Sequence, residues 1–316
     1  MEVITRLSQV KRQYPNPVVA IGIFDGLHRG HQKVLRQVIR QARACHGTAV
    51  VITFYPHPLH VLNPGHSLPL IITLSLREKL LAHIGIDVCW LIHFTRGFSR
   101  IPPLWFIEKY FVKKMAPHTV VIGDDFRFGK DRVGTLSLFR EAGAKHKFNV
   151  QVVPTSKGAK KLISSTMIRQ HIMNGEFTRA SRLLGRPFVI EGKVVHGDAL
   201  GRKLGFPTAN VSAKRQLIPP PGVYIVYVQY QNCLFPGMAY VGRKPSIHSS
   251  ARLNIEVNIF DFNRNIYGKE IIIFFNAKIR EEMKFNSHQS LIQQIQSDET
   301  SARRWFQKEH PVPHLI

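Results

Sequence analysis

The sequence has few cysteines and no long apolar run. Its three cysteines, Cys45, Cys89 and Cys233, are far apart and form no CxxC pair. This spacing argues against a disulfide framework or a structural zinc site, and it favours a reducing cytoplasm. No segment approaches the roughly 18 apolar residues of a membrane span. The first fifteen residues are charged and lack an apolar core, so we expect no signal peptide.

Acidic residues are also scarce. The chain has 316 residues, with 44 Lys and Arg against 20 Asp and Glu, which gives a net charge of +24. Such an excess attracts polyanions such as nucleic acid, anionic membranes or phosphorylated small molecules, although it is equally typical of a generally basic surface. Because the sequence has no zinc finger, basic zipper or RNP-like motif, we expect small-molecule partners, no specific nucleic acid and no membrane. The oligomeric state is left open.

The first half of the chain alternates buried-strand runs with amphipathic helical patterns. This succession predicts an α/β domain with a mostly parallel sheet, which binds ligands beyond the carboxyl ends of its strands. The predicted strands are Val18–Phe24, Ala49–Phe54, Val88–Phe94, Thr119–Ile122 and Val150–Val153, and the predicted helices are Lys33–Arg43, Arg77–Ile84, Leu104–Met115 and Leu136–His146.

The second half changes to short strands separated by turn signals. This pattern predicts a small antiparallel barrel or sandwich, followed by a final helix at about Gln289–Gln307. We place the domain boundary near Gly185-Arg186-Pro187. The predicted strands are Val189–Val195, Val223–Tyr230, Met238–Val241, Asn254–Phe260 and Glu270–Phe275.

A histidine pair lies at the first strand-to-helix turn, in the segment Gly22–His31 (GIFDGLHRGH). The N-terminus of a helix binds phosphate through its free N–H groups and its dipole, and glycines let the backbone approach a ligand. His28 and His31 could then stabilise charge at an attacked phosphorus. Two alternatives are histidines that only satisfy local backbone groups, and metal ligation, for which no third ligand is evident.

Two further segments suit phosphate and nucleotide binding. The segment Ile163–Arg169 (ISSTMIR) opens a helical pattern with three hydroxyls and an arginine, which suits a triphosphate or an ordinary N-cap. The segment Gly197–Asn210 (GDALGRKLGFPTAN) could cradle phosphates and position Mg²⁺, or form a simple hairpin loop. Strand alternation places Glu256 opposite the apolar face, where it is either a general base or a solvent-facing carboxylate.

The first half resembles the adenylyltransferase module of bacterial bifunctional riboflavin kinase/FAD synthetases, which belongs to the HxGH nucleotidyltransferase superfamily. GIFDGLHRGH, GDDFRFG and ISSTMIR occur in the order and spacing of that module. The resemblance implies a Rossmann-like fold, catalytic roles for His28 and His31, and a flavin or nucleotide pocket at Asp125, Phe126 and Phe128. By the same resemblance, the ATP phosphates are held by the two histidines with Gly22, Phe24, Asp25, Gly26, Gly30, Ser164, Ser165, Thr166 and Arg169.

The second half resembles the riboflavin kinase module of the same family. The resemblance rests on GRKLGFPTAN, GVY, IEVNIFDF, YGKE and KFNS. It implies a six-stranded barrel with a terminal helix, and it makes Glu256 the base for the riboflavin 5′-hydroxyl. Thr208 and Asn210 would bind Mg²⁺ with ATP. The other implied ATP-binding residues are Gly197, Gly201, Lys203, Gly205 and Pro207.

The resemblance predicts an adenylyltransferase domain at residues 1–185 and a riboflavin kinase domain at residues 186–316. The substrates and products would be ATP, riboflavin, FMN and FAD. Three positions depart from the family pattern: Tyr55 replaces an acidic residue, Ser246 a Thr and Asn258 a His. The alternatives are an HxGH enzyme acting on a pantetheine or nicotinate compound and a basic nucleic-acid-binding protein. GDDFRFG and the second domain argue against the first alternative, and the lack of a zinc finger, basic zipper or RNP-like motif argues against the second.

Overall fold

The computed structural model describes residues 1–10, 14–66, 68–154, 163–197, 200–213, 215–243, 253–308 and 312–315. The chain forms two compact units. The first unit contains Met1–Leu68 and Leu74–Ser164, and the second contains Pro69–Thr73 and Ser165–Ile316. The predicted domain boundary at 185/186 therefore falls inside the second unit, and the assignment of the two functional domains to residues stays a prediction.

The first unit is built on a six-stranded parallel sheet, as the alternating pattern predicts. The strand order is β1-β4-β3-β2-β5-β6, and every neighbouring pair runs parallel. Parallel sheets are covered on both faces, and Val18, Val19 and Ala20 of β2 are accordingly fully buried. The strands are β1 (Glu2–Ile4), β2 (Val18–Ile21), β3 (Ala49–Tyr55), β4 (Val88–His93), β5 (Thr119–Gly123) and β6 (Asn149–Val153).

Helices connect these strands. In α1 the apolar stripe of Val34, Leu35, Val38 and Ala42 is buried, which explains why a sequence rich in Arg and Gln forms a helix here. The α-helices of the first unit are α1 (Arg29–Ala44), α2 (Pro58–Leu62), α3 (Leu74–Ile84), α4 (Arg96–Ser99), α5 (Pro103–Phe106) and α6 (Leu136–His146). A π-helix, Ile107–Met115, continues α5, and short 3₁₀ turns lie at Leu7–Gln9, Pro64–His66 and Lys130–Arg132.

Strands are added to the sheet on opposite sides of β2: β3 and β4 lie on one side, and β5 and β6 on the other. The connection from β2 through α1 leads to β3 on one side, whereas β5 pairs with β2 on the other side. Such a switch point opens a crevice at the carboxyl ends of the strands, where α/β proteins bind ligands. The turn that begins at Gly22 and the segment that follows β5 both start at this crevice.

The second unit contains a closed barrel of six antiparallel strands in the order β10-β11-β8-β7-β12-β9. The family expectation of a barrel is confirmed, and the sandwich alternative is wrong. Ile255 and Val257 of β11 are buried, whereas Glu256 between them is half exposed. The strands are β7 (Phe188–Val195), β8 (Ala209–Ser212), β9 (Gly222–Tyr230), β10 (Cys233–Arg243), β11 (Leu253–Ile259) and β12 (Glu270–Glu281).

Helices cover the barrel. The final helix α10 (His288–Phe306) is capped by Ser287 and packs through Ala302 against Met238 and Phe260. Its buried Asp298 pairs with Arg280 of β12 at 2.8 Å. The remaining helices are α7 (Ser165–Met173), α8 (Phe177–Leu184) and α9 (Leu200–Lys203).

Some boundaries differ from the sequence predictions. The predicted strand Val18–Phe24 ends at Ile21, because Phe24 adopts a left-handed conformation with φ 52° that a strand cannot contain. Strands β1 and β8 were not predicted, because three or four residues are too few to show a periodic pattern. The predicted helix Leu104–Met115 is α5 followed by the π-helix.

Phe177 of α8 anchors the helices before residue 185 to the barrel. Its ring centroid lies 5.5 Å from Phe275, 5.6 Å from Tyr224 and 6.1 Å from Phe188. We expect Phe177→Ala to lower the free energy of unfolding of the second unit by about 3 kcal/mol, because removal of the ring leaves a cavity in the core. Urea unfolding measures this, with Met173→Ala at an exposed position as a near-neutral control. Equal effects of both variants would show that α8 is not part of the barrel core.

Candidate active sites

The first candidate site is the turn between β2 and α1. Three of the four residues from Phe24 to Leu27 have positive φ: Phe24 at 52°, Gly26 at 81° and Leu27 at 42°. Phe24, Asp25 and Leu27 are nonetheless buried. The turn is therefore a tightly folded part of the protein interior and not a loose surface loop. Its left-handed residues cost conformational energy that the surrounding contacts must offset.

His28 and His31 are brought together at the start of α1. His28 is the N-cap residue, and its Nδ1 accepts a hydrogen bond from the His31 backbone N–H at 3.3 Å. The two rings stack with centroids 3.6 Å apart. Gly30 leaves little room for a side chain, because a Cβ there would lie 3.1 Å from the His28 ring. The predicted histidine pair is thus one packed unit at a helix N-terminus, where phosphate binds well.

Burial and the neighbouring His28 hold the pKa of His31 well below the ordinary value of 6.5. His31 is therefore neutral at physiological pH. A neutral imidazole donates through a single ring N–H, so its contribution at a phosphate is a directed hydrogen bond and not a full positive charge.

Arg77, which was not predicted from the sequence, stabilises the turn through hydrogen bonds to backbone carbonyls. Its guanidinium donates to the Ile23 carbonyl at 2.8 Å and to the Phe54 carbonyl at 3.3 Å. The Thr53 hydroxyl donates to the same Ile23 carbonyl at 3.1 Å. Arg77 is buried, and this burial lowers its pKa. The signal was present as an arginine on the buried side of α3, beside Leu76, Leu80 and Leu81.

The segment after β5 places its predicted pocket residues in different surroundings. Asp125 is exposed and Phe126 is half buried. Phe128 is buried and lies in the hydrophobic core, with its ring centroid 4.7 Å from that of Phe139. The role of all three in a flavin or nucleotide pocket stays a prediction. In this structure, Phe128 has a clear packing role.

The ISSTMIR segment is divided between the units. Ser164 ends the first unit, whereas Ser165 begins α7 in the second unit. Thr166 is exposed, and Arg169 is buried with its Nε donating to the Pro69 carbonyl at 3.0 Å. That these residues act on one triphosphate together with the histidine pair stays a prediction.

Exposed apolar side chains follow the carboxyl ends of three strands in the first unit, of which β3 and β4 are neighbours and β5 lies beyond β2. They were not predicted from the sequence, since single exposed Leu and Val residues carry no periodic signal. They follow β3, β4 and β5, and their concentration at one sheet edge is typical of a surface that contacts a ligand with apolar area. These residues are Leu59, Leu62, Leu104, Trp105 and Val133, with Tyr55 also exposed at the end of β3.

The second candidate site lies on the outer wall of the barrel. The Thr208 hydroxyl donates to Glu256 Oε2 at 3.2 Å. The Asn254 amide donates both to Glu256 Oε1 and to Asn210 Oδ1, each at 3.0 Å. These contacts join Thr208, Asn210 and Glu256 into one polar cluster. Asn254, two residues before Glu256, was not predicted from the sequence, and its amide links Glu256 to Asn210.

The preceding loop packs closely against this cluster. A Cβ at Gly197 would lie 2.1 Å from the Asn210 amide, and one at Gly201 would lie 2.4 Å from the Phe206 carbonyl. Gly205 has φ 88°, and Pro207 is exposed. Gly197 therefore packs directly against Asn210, and Gly201 packs against Phe206 next to Thr208. The side chain of Lys203 and the whole of Ser246 lie outside the described residues.

Asn258, one of the departures from the family pattern, has a structural role. Its amide donates to the Pro207 carbonyl at 2.8 Å, and the side chain is buried. Asn258 thereby fastens the loop before Thr208 to β11. A polar residue that donates a hydrogen bond is sufficient for this task.

A parallel α/β sheet with a histidine pair at a helix N-terminus, followed by a barrel with a polar cluster around Glu256, is the architecture of an enzyme that transfers phosphate-bearing groups. Two families match the chain: FAD synthetase over residues 10–167 and riboflavin kinase over residues 184–306. The chain belongs to the bifunctional riboflavin kinase/FMN adenylyltransferase family, as the relatives below also show.

The relatives match over nearly the whole chain. The bifunctional riboflavin kinase/FMN adenylyltransferase of Buchnera aphidicola is 37% identical over 97% of this chain and 99% of its own length. The enzyme of the same name from Escherichia coli K12 is 38% identical over 96% of each chain. A crystal structure named as a macrolide-efflux protein from Streptococcus pneumoniae has a TM-score of 0.86 at 34% identity, covering 96% of this chain and 100% of that one.

Within the residues that the structure describes, no helix combines the length and apolarity needed to cross a membrane.

The low pKa of His31 predicts a pH dependence of stability. Below about pH 6.5 the unfolded chain binds a proton at His31 and the folded chain does not, so folding loses up to about 1.4 kcal/mol per pH unit as the pH falls. We expect His31→Gln to reduce this slope in urea unfolding between pH 6.5 and 5. The exposed His83→Gln is the matched control. An unchanged slope in His31→Gln would contradict a lowered pKa of His31 in the folded protein.

Proposed function

We propose that this enzyme makes both flavin cofactors: it phosphorylates riboflavin to FMN with ATP, and it then adenylylates FMN to FAD with release of pyrophosphate. Membership of the bifunctional family supports both steps. The observation that carries the proposal to individual residues is the Thr208–Glu256–Asn254–Asn210 cluster on the barrel. The cluster combines a carboxylate that can act as a base with oxygen atoms that can bind Mg²⁺, and a kinase site needs both.

In the kinase step, Glu256 accepts the proton of the riboflavin 5′-hydroxyl. The hydroxyl oxygen forms a bond to the γ-phosphorus of ATP, the bond from that phosphorus to the β,γ-bridging oxygen breaks, and ADP leaves. The hydrogen bonds from Thr208 and Asn254 fix the orientation of the carboxylate. An oriented general base of this kind contributes a factor of about 10² to 10⁴ in rate.

Mg²⁺ is part of this proposal. The Thr208 hydroxyl and the Asn210 carboxamide are hard oxygen ligands beside the carboxylate, and Mg²⁺ binds through few protein oxygens, waters and substrate phosphates. Asn210 Oδ1 accepts one hydrogen bond from Asn254 and keeps a second lone pair. The residues therefore fit the ion. When bound, Mg²⁺ would offset the negative charge of the ATP phosphates.

In the adenylyl step, an FMN phosphate oxygen attacks the α-phosphorus of a second ATP. A new P–O–P bond forms, the bond from the α-phosphorus to the α,β-bridging oxygen breaks, and pyrophosphate leaves. The N-terminus of α1 and the ring N–H groups of His28 and His31 would stabilise the phosphate charge. We propose that Ser164, Ser165, Thr166 and Arg169 help to hold the ATP phosphates. No covalent nucleophile is needed, because positioning and electrostatics supply the catalysis.

The remaining parts of the proposal concern partners and location. We propose small molecules as the partners and the cytoplasm as the location. Free thiols at all three cysteines support a reducing compartment. The net charge of +24 is consistent with anionic substrates, and it also predicts non-specific attraction of RNA that weakens steeply with salt.

The separation of the two sites predicts reciprocal variants. Glu256→Gln should reduce FMN formation from riboflavin by a factor of about 10² to 10⁴ and leave FAD formation from supplied FMN unchanged. His28→Asn should reduce FAD formation from FMN by a factor of about 10² and leave FMN formation unchanged. Asparagine is chosen because it still caps a helix. Chromatographic separation of the flavins measures both activities.

The wild-type protein with riboflavin, ATP and Mg²⁺ is the reference for both variants. Absence of both FMN and FAD would refute the proposed function. Loss of both activities in either variant, with the fold intact by circular dichroism, would refute the assignment of separate sites.

A further inference from the structure

Tyr240 is the neighbour of Glu256 on the barrel wall. In the β10–β11 register Tyr240 lies directly opposite Glu256, and in the β11–β8 register Asn210 lies opposite Glu256 on the other side. Directly paired residues of antiparallel strands share a face, with Cβ atoms about 5 Å apart. The wall therefore carries a row of three side chains across three strands: Asn210, Glu256 and Tyr240.

The Tyr240 ring is held in one position. Its hydroxyl donates a hydrogen bond to Glu282 Oε1 at 2.6 Å. The ring lies back along β10 over Gly242, because a Cβ on that glycine would come within 2.0 Å of the Tyr240 hydroxyl oxygen. The side chain is nevertheless 37% exposed. A fixed aromatic ring thus presents an open surface beside the carboxylate.

The charge state of Tyr240 is also fixed. Burial, the hydrogen bond to Glu282 and the nearby Glu256 all raise its pKa. The phenol therefore stays neutral at physiological pH, and its proton remains on the bond to Glu282. The ring next to Glu256 adds no charge to the site.

The geometry of phosphoryl transfer assigns a side to each substrate. The attacking oxygen and the leaving oxygen lie roughly in line on opposite sides of the transferred phosphorus. Thr208 and Asn210, which would hold ATP, lie on the β8 side of Glu256. An acceptor that approaches from the opposite side of Glu256 lies on the β10 side, which is the side of Tyr240.

We propose that Tyr240 contacts the flat ring system of the flavin acceptor in the kinase site, and that Glu282 and Gly242 keep its ring in place. This inference rests on the proposed kinase function and names the acceptor side of that site. A planar aromatic ligand gains contact area and favourable ring geometry from a fixed tyrosine ring. Tyr240 then determines affinity for the acceptor, and Glu282 is a positioning residue that acts through it.

Steady-state kinetics of FMN formation test this assignment. Loss of one aromatic contact is expected to raise the KM for riboflavin about tenfold in Tyr240→Ala. The KM for ATP should stay within about twofold, because Tyr240 is on the acceptor side. Tyr240→Phe keeps the ring and guards against a folding defect. Its KM for riboflavin should rise only about threefold, from loss of the Glu282 bond.

Two further pairs of variants separate contact from general stability. Glu282→Ala should raise the KM for riboflavin, and Glu282→Gln, which keeps an acceptor oxygen, should restore it. Tyr240 pairs with Val223 at the start of β9, whereas the half-exposed Tyr230 is the last residue of that strand. Tyr230→Ala should therefore leave both KM values unchanged.

Three outcomes overturn the inference. An unchanged KM for riboflavin in Tyr240→Ala refutes the contact. An equal rise in the KM values for riboflavin and ATP shows a structural role instead. A wild-type protein that forms no FMN refutes the proposed function and this inference with it, whereas the first two outcomes leave the proposed function intact.

Discussion

Both candidate sites depend on a glycine against which a neighbouring functional group packs closely. At Gly30 that group is the His28 ring, and at Gly197 it is the Asn210 amide. A Cβ at Gly197 would overlap the Asn210 amide, and a Cβ at Gly30 would press on the His28 ring. Each site thus contains a closely packed glycine shortly after a strand: Gly30 in the first turn of α1 and Gly197 after β7. The strands fix where the turns begin, and the absent side chains let the functional groups meet.

The two sites solve similar chemistry with different electrostatics. In the proposed mechanism the first presents a helix N-terminus and a neutral His31 to a phosphate, so its contribution is directed hydrogen bonding. The second presents the carboxylate of Glu256, oriented by Thr208 and Asn254. This difference follows the acceptors. A phosphate that is already ionised needs no base, whereas a hydroxyl must lose a proton to attack.

Periodicity and turn signals were sufficient to predict the architecture. The parallel sheet, the second β unit and the final helix all came from buried runs of strand length and from helical stripes. The strand that contains Glu256 was predicted with its apolar face correct, and Ile255 and Val257 are indeed buried. Family resemblance then supplied the closed barrel and the flavin substrates.

The supporting contacts could not be predicted, because tertiary packing determines them. Arg77 reaches the Ile23 carbonyl from a helix that is 54 positions away in sequence. Asn254 acts through Asn210, which lies on another strand, and Tyr240 faces Glu256 only because of the β10–β11 register. The division between the units at Ser164 depends likewise on how Phe177 packs, which its sequence neighbours do not reveal.

The central claim is that the enzyme attacks two different phosphorus atoms of ATP in succession. Two parallel incubations of the wild-type protein with riboflavin and Mg²⁺, one with γ-³²P-ATP and one with α-³²P-ATP, test it directly. The account predicts that the γ label enters FMN and is retained in FAD, whereas the α label enters FAD alone. Entry of the α label into FMN, or absence of the γ label from FAD, would contradict the account.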